Sequence, residues 1–241
     1  MTMSHEQTSL TPRQRRREAT IEAILAQAME TLLEEGIDGL TIGRLASELD
    51  YTKGALYRYF RSKDALIAEL QVRSLQRVHR RYTALWSRAR HGLTELTDAQ
   101  RGLAVLVLTA TDYVGMSRDL PADFALIRVA VGDPRHLLAE EEVAPVMQTM
   151  LALLGDGGGL LTEAAEAGAI EAGDDVRRSI TLWSAIHGNV LTQKFARFGP
   201  ELFDPAVLVT SLIRTLLLGW GADPGDLSTA MSAVATMGDV Q

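Results

Sequence analysis

Residues 41–63, TIGRLASELDYTKGALYRYFRSK, leave this chain few ways to fold. Leu45, Ala46 and Leu49 recur at helical spacing behind Thr41, whose hydroxyl suits a helix cap. Asp50 follows, and its short polar side chain tolerates the left-handed backbone of a sharp turn. Thr52 can cap a second helix, expected over residues 53–60, with Leu56 and Phe60 four apart on one face. Lys53, Tyr57, Arg58 and Tyr59 are left for the other faces, and Ser62 can cap a third helix with Asp64 near its positive end. Two short helices joined by a tight turn, with a cationic and aromatic outer surface, form the layout that sets a recognition helix into the major groove of DNA.

The segment resembles the DNA-binding domain of the TetR family of bacterial transcriptional regulators. The matching residues are Ile24, Leu25, Ala28, Gly36, Leu40, Thr41, Leu45, Ala46, Gly54, Leu56, Tyr57, Tyr59, Phe60, Ser62, Lys63 and Leu66, and the string GALYRYFRSKDAL is the most specific part. Asp50 stands where the family usually has Gly, and Tyr51 where it usually has Val; Tyr51 is expected to fill the same pocket. The resemblance implies an all-α protein. Its expected parts are a disordered arm (1–10), a helix-turn-helix head (11–60), a helical effector-binding and dimerisation body (61–221) and a weakly ordered tail (222–241).

Chemistry assigns roles at the head positions that the family also uses. Lys53 leads the recognition helix and can donate to guanine O6/N7 or to phosphate. Gly54 carries no side chain, so the helix can approach base edges closely. Thr52, Tyr57, Tyr59 and Lys63 can hydrogen-bond phosphate oxygens and fix register, as can Thr41 and Arg44 on the preceding helix. Tyr57 has an alternative as a core aromatic. Arg13, Arg15, Arg16 and Arg17 crowd the start of the first helix, where phosphate or minor-groove contact is expected.

The formal net charge of −7 fits a DNA-binding chain once it is divided. Residues 1–90 hold 15 Lys and Arg against 11 Asp and Glu; residues 91–241 hold 9 against 20. The cationic excess therefore lies where phosphates would be met, and the acidic remainder favours one docking orientation. Cysteine is absent, so there is neither a disulfide framework nor a thiolate metal site, and the first ten residues lack the apolar run of a signal peptide. A cytoplasmic location is the expectation.

Along the chain, Thr11-Pro12-Arg13-Gln14 reads as a helix start, with Ile21, Ile24, Leu25, Ala28 and Leu32 as its apolar stripe and Gly36 as its end. A long helix from Lys63 should run through the eighties with Leu66, Leu70, Val78, Tyr82 and Leu85 close to one face, and His91-Gly92 suggests a break after it. Further helices are expected over 99–117, between Pro121 and Asp133-Pro134, and over 138–154, with GDGGG (155–159) as a loop. Asp174 or Asp175 should cap a helix to Phe198, and Asp204-Pro205 another to Trp220. The second of these is apolar almost all round and must be buried on more than one side. The resemblance supplies the partner: a homodimer through the helices near 175–198 and 205–220, with Ser184, Ala185 and Gly188 permitting close approach.

The resemblance further implies a double-stranded DNA operator, an inverted repeat for a two-fold dimer, and a small-molecule effector of unknown identity bound in the body. Tyr82, Trp86, Tyr113, Met116, Phe124, Met147, Trp183 and His187 are the candidate lining residues, each also explicable as plain core. The expected action is that of a repressor released by ligand. The alternative is a DNA-binding protein without effector, whose body serves only dimerisation or partner binding.

No cofactor, metal or enzymatic activity is expected. GDGGG lacks the Lys-Ser/Thr ending of a phosphate loop, Leu160 replaces the last Gly of a dinucleotide fingerprint, and His5, His79, His91, His136 and His187 show no metal-ligand spacing.

Overall fold

The computed structural model describes residues 11–132 and 138–238. The expected arm (1–10), the Asp133-Pro134 break, His136 and the last three residues lie outside them. Among the described residues ten α-helices follow in order: α1 (Pro12–Gly39), α2 (Ile42–Glu48), α3 (Lys53–Tyr57), α4 (Lys63–Gly92), α5 (Asp98–Asp119), α6 (Pro121–Gly132), α7 (Glu140–Glu166), α8 (Asp175–Leu191), α9 (Pro205–Gly219) and α10 (Pro224–Gly238). A 3-10 segment, Thr192–Phe198, follows α8, and no strand occurs among the described residues. The all-α expectation holds.

The chain divides into two compact units, Met1–Gln71 with Ala125–Val143 and Val72–Phe124 with Ala144–Gln241. In the first, α1 starts with a capping box between Thr11 and Gln14. It bends at Gly36, whose φ of 73° lies in the left-handed region, and continues to Gly39 instead of ending there. Ile24, Leu25, Ala28 and Leu32 of α1 meet Leu45 and Ala46 of α2, Leu56 of α3, and Leu66 and Leu70 of α4 in one buried core. Leu126 of α6 is fully buried in that same core, with Ala125, Val129 and Leu138 packed against it. This unit therefore reaches past residue 60 and takes in a distant stretch of sequence. Arg61 Nε donates to Glu142 (2.9 Å), and the Ala139 N–H donates to the Asp64 carboxylate (3.1 Å), which ties that stretch down.

In the second unit α5 is the central helix. It packs against α8, α9 and α10, and buries Leu103, Leu106, Val107, Ala110, Tyr113 and Met116. Two expectations need correction here. Residues 222–238 are not a weakly ordered tail: Leu227, Ala230 and Val234, at helical spacing, bury against this unit's core as α10. Asp223 accepts from the Gly225 and Asp226 N–H groups, and the Gln100 amide donates to Asp226 (2.8 Å).

Nor is GDGGG a loop, since α7 runs through it to Glu166. Helix packing explains two of its glycines. A Cβ at Gly157 would lie 2.7 Å from Ser179 Oγ, and one at Gly158 would lie 3.4 Å from the Asp175 backbone, so the start of α8 rests directly on the α7 main chain. Gly155 and Gly159 have no neighbour within 4 Å of a built Cβ.

The two kinds of glycine should respond oppositely to alanine. Gly159→Ala is expected to raise stability by about 1 kcal/mol, through helix propensity alone. Gly157→Ala is expected to lower it, because Ser179, whose hydroxyl bonds the Leu154 carbonyl, must move. Chemical denaturation of both variants is the measurement, and equal shifts would refute the packing role.

Candidate nucleic-acid interface

The first unit's core fixes a small exposed platform made by α2, the turn and α3. Thr41 caps α2, its hydroxyl accepting from the Arg44 N–H (3.2 Å), and Thr52 caps α3, accepting from the Ala55 N–H (3.2 Å). Between them Asp50 takes φ 56°, the only non-glycine residue with positive φ among those described. The Tyr51 N–H then reaches the Ala46 carbonyl at 2.8 Å and closes the turn. Asp thus makes the left-handed step where the family usually places Gly. Tyr51 does not fill a pocket as expected. It is 41 % exposed, because the turn carries its side chain outward.

α3 ends at Tyr57, three residues short of the expected Phe60; Phe60 is buried nonetheless, in the turn that follows. Lys53, Gly54, Tyr57 and Arg58 are exposed on the outer side, with Thr52 beside them. Tyr57 is 51 % exposed, which removes its alternative as a core aromatic. Gly54 has nothing within 4 Å of a built Cβ, so the surface there is open to a partner. Tyr59 is half-buried, and the Arg17 guanidinium sits over its ring at 5.5 Å, joining the cationic start of α1 to this surface.

Two candidates have protein partners that sequence reasoning did not supply. Lys63 Nζ donates to the Ile37 carbonyl (2.9 Å). Arg44 pairs with Glu35 and with Glu48, its Nε lying 2.6 Å from Glu48 Oε1. Hydrogen bonds that Arg44 donates to Glu35 and then to Glu48 raise its pKa further, and Arg44 in turn lowers that of Glu35. The Arg44–Glu48 pair was visible in the sequence as an i, i+4 spacing; the Glu35 contact was not.

In the second unit, four ligand candidates come together. The Tyr113 hydroxyl lies 2.7 Å from His187 Nδ1, and both residues are buried. Around His187 stand Tyr113, Phe124 and Trp183, with ring centroids at 6.1, 5.6 and 5.8 Å. Tyr82 and Trp86 form a separate stacked pair at 5.7 Å, and Trp86 Nε1 donates to Thr109 Oγ1 (2.9 Å). Burial pushes the Tyr82 and Tyr113 hydroxyls above the ordinary tyrosine range, so both stay protonated at neutral pH. Met116 is fully buried on α5. Met147 is 38 % exposed on α7 and does not belong with the buried candidates, because the extended α7 turns that residue outward.

Three arginines of α4 pair with acids of the same unit. Arg77 bonds Asp123, Arg81 bonds Asp112 (2.8 Å) and Asp119 (2.8 Å), and Arg90 bonds Glu163 (2.6 Å). The Asp112 hydrogen bond holds the Arg81 pKa above its usual value despite burial. Among the described residues no cluster of three or more His, Cys, Asp or Glu could hold a metal, and no helix is long and apolar enough to cross a membrane.

Residues 24–70 match the family model described as bacterial regulatory proteins, tetR family. An uncharacterized HTH-type transcriptional regulator of Mycobacterium tuberculosis, Rv0767c, is 38% identical over 66 residues, which cover 27% of this chain and 31% of the relative. The match thus spans about a third of that relative's length. Among solved structures, a putative tetR-family transcriptional regulator from Mesorhizobium loti has a TM-score of 0.59 at 14% identity, covering 83% of this chain and 98% of the other. The fatty acid degradation regulator FadR from Bacillus halodurans has a TM-score of 0.58 at 16% identity, covering 90% and 100%. At these identities the structures speak for the fold. Matched family and matched relative alike are regulators, not enzymes.

The turn geometry gives a stability test. Asp50→Gly should leave stability unchanged or raise it by up to about 1 kcal/mol, while Asp50→Val should lower it by roughly 1–2 kcal/mol, since a β-branched residue resists positive φ. Denaturation midpoints decide, and a harmless valine would contradict the left-handed turn.

Proposed function

We propose that this member of the tetR family of bacterial regulatory proteins is a homodimeric, sequence-specific transcriptional regulator acting in the cytoplasm. It holds an inverted-repeat operator and lets go of it when a small molecule enters the body. The observation that carries this is the platform of Thr52, Lys53, Gly54 and Tyr57: exposed and presented on a capped helix that a buried core holds in place. Such a helix suits the major groove, with Lys53 towards base edges and the hydroxyls of Thr41, Thr52 and Tyr57 towards phosphates.

Dimerisation is supported by the outer faces of α8 and α9. Val176 and Ile180 on α8 and Val207 on α9 are exposed, Leu208, Leu212 and Leu216 are only half-buried, and Gly188 has open space around it. An apolar face of this kind on two neighbouring helices fits a second copy of the chain.

The aromatic group around His187 suits an effector with an apolar body and one polar group to exchange hydrogen bonds with Tyr113 and His187. The name of the Bacillus halodurans neighbour, a fatty acid degradation regulator, accords with an apolar effector. α4, α6 and α7 are the routes for a signal, because the division between the compact units falls inside each of these helices. Phe124 touches Tyr113 and His187 in one unit, and Leu126, two residues on, is core of the other. A ligand that favours one packing of the body would bias the head through them. A second reading, an effector-independent regulator, is favoured by one observation: the Tyr113 hydroxyl and His187 Nδ1 already bond each other.

Lys53→Ala should weaken specific binding by about 10-fold or more, a loss on the scale of one base contact, and weaken non-specific binding far less. Titrations at fixed salt with operator and scrambled duplexes measure both. Equal losses would overturn the base-reading role of Lys53. For the ligand, operator DNA and effector should lower each other's affinity by the same factor.

A further inference from the structure

The two glycines of the helix-turn-helix differ in what occupies the space beside them. At Gly54 that space is open. At Gly43, the second residue of α2, it is taken by Lys53: a built Cβ would lie 2.7 Å from Lys53 Cε, 3.1 Å from Nζ and 3.8 Å from Cδ. The lysine therefore does not extend freely from the start of α3. Its aliphatic stem folds back over the α2 main chain at the one place where no side chain blocks it, and its ammonium stays at the surface.

We propose that Gly43 is a positioning residue for Lys53: the missing side chain at position 43 sets the direction of the ammonium, and so the base pair that it reads. This rests on the reading of Lys53 as a base contact given above. Lysine is a flexible point charge that loses rotamer entropy when it is fixed. A stem already resting on α2 has lost part of that freedom before DNA arrives, which is preorganisation. Any residue other than glycine at position 43 displaces the stem. Because the displaced atoms are the far end of a flexible chain, the lysine swings away and the fold stays intact. Alanine is also the better helix former. The substitution thus separates stability from recognition.

The test uses the full-length protein in four forms: wild type, Gly43→Ala, Lys53→Ala and the double variant. Each is used to select binding sites from a randomised DNA duplex pool, then titrated against the wild-type operator and a scrambled duplex at one salt concentration, with thermal unfolding alongside. Gly43→Ala should melt at or above the wild-type temperature. It should lose roughly 3- to 30-fold in specific affinity, within the range of one mis-aimed base contact. Its selected sites should change at the same positions that Lys53→Ala relaxes, and in the Lys53→Ala background it should cost nothing further.

Unchanged base preferences, a loss that adds in full to that of Lys53→Ala, or a lowered melting temperature would overturn the positioning role while leaving Lys53 as a contact. If Lys53→Ala itself alters neither affinity nor preference, the base-contact reading fails first, and this inference with it.

Discussion

Everything at the surface of the first unit depends on one hydrophobic seat. Leu45 of α2, Leu56 of α3 and Leu66 of α4 are all fully buried against Ile24 and Ala28 of α1. Each of α2 and α3 is far too short to be stable alone, since helix nucleation is costly and isolated helices below about 12–15 residues are marginal in water. Only burial of these side chains, helped by the threonine caps, keeps five residues of α3 helical. The left-handed step at Asp50 then decides the direction in which α3 leaves the turn, and hence which residues face outward. The cationic and hydroxyl-bearing surface follows from the core beneath it.

The same seat explains why the head includes residues far along the chain. Leu126 is as deeply buried in it as Leu45. Arg61 with Glu141 and Glu142, and Asp64 with the Ala139 N–H, secure the start of α7. The chain passes between this unit and the other within three helices, α4, α6 and α7. The polar contacts along the exposed edge are individually weak. The leucine supplies the main attachment, since full burial of such a side chain is worth about 1.5–3 kcal/mol.

Much of this was legible in the amino-acid order. Caps at Thr11, Thr41, Thr52, Asp174 and Asp204, and the buried face of α4, stand where spacing and residue type put them. The errors have separate causes. GDGGG reads as a loop because glycine lowers helix propensity, yet tertiary packing overrides propensity where a second helix must lie on the main chain. The α10 stripe of Leu227, Ala230 and Val234 was hidden among small polar residues. Met147 joined the ligand candidates by residue type alone, and its place on an extended α7 removes it. Contacts such as Arg44 with Glu35, Lys63 with the Ile37 carbonyl, and Lys53 over Gly43 depend on helix–helix geometry that no periodicity encodes.

The central claim is that two such heads, related by a two-fold axis, grip one duplex through α3. High-resolution hydroxyl-radical footprinting of the intact protein on its selected operator addresses this most directly. The account predicts two symmetric protected half-sites whose centres lie one DNA turn, about 34 Å, or a small multiple of it apart. A single asymmetric footprint, or uniform protection without half-sites, would contradict it.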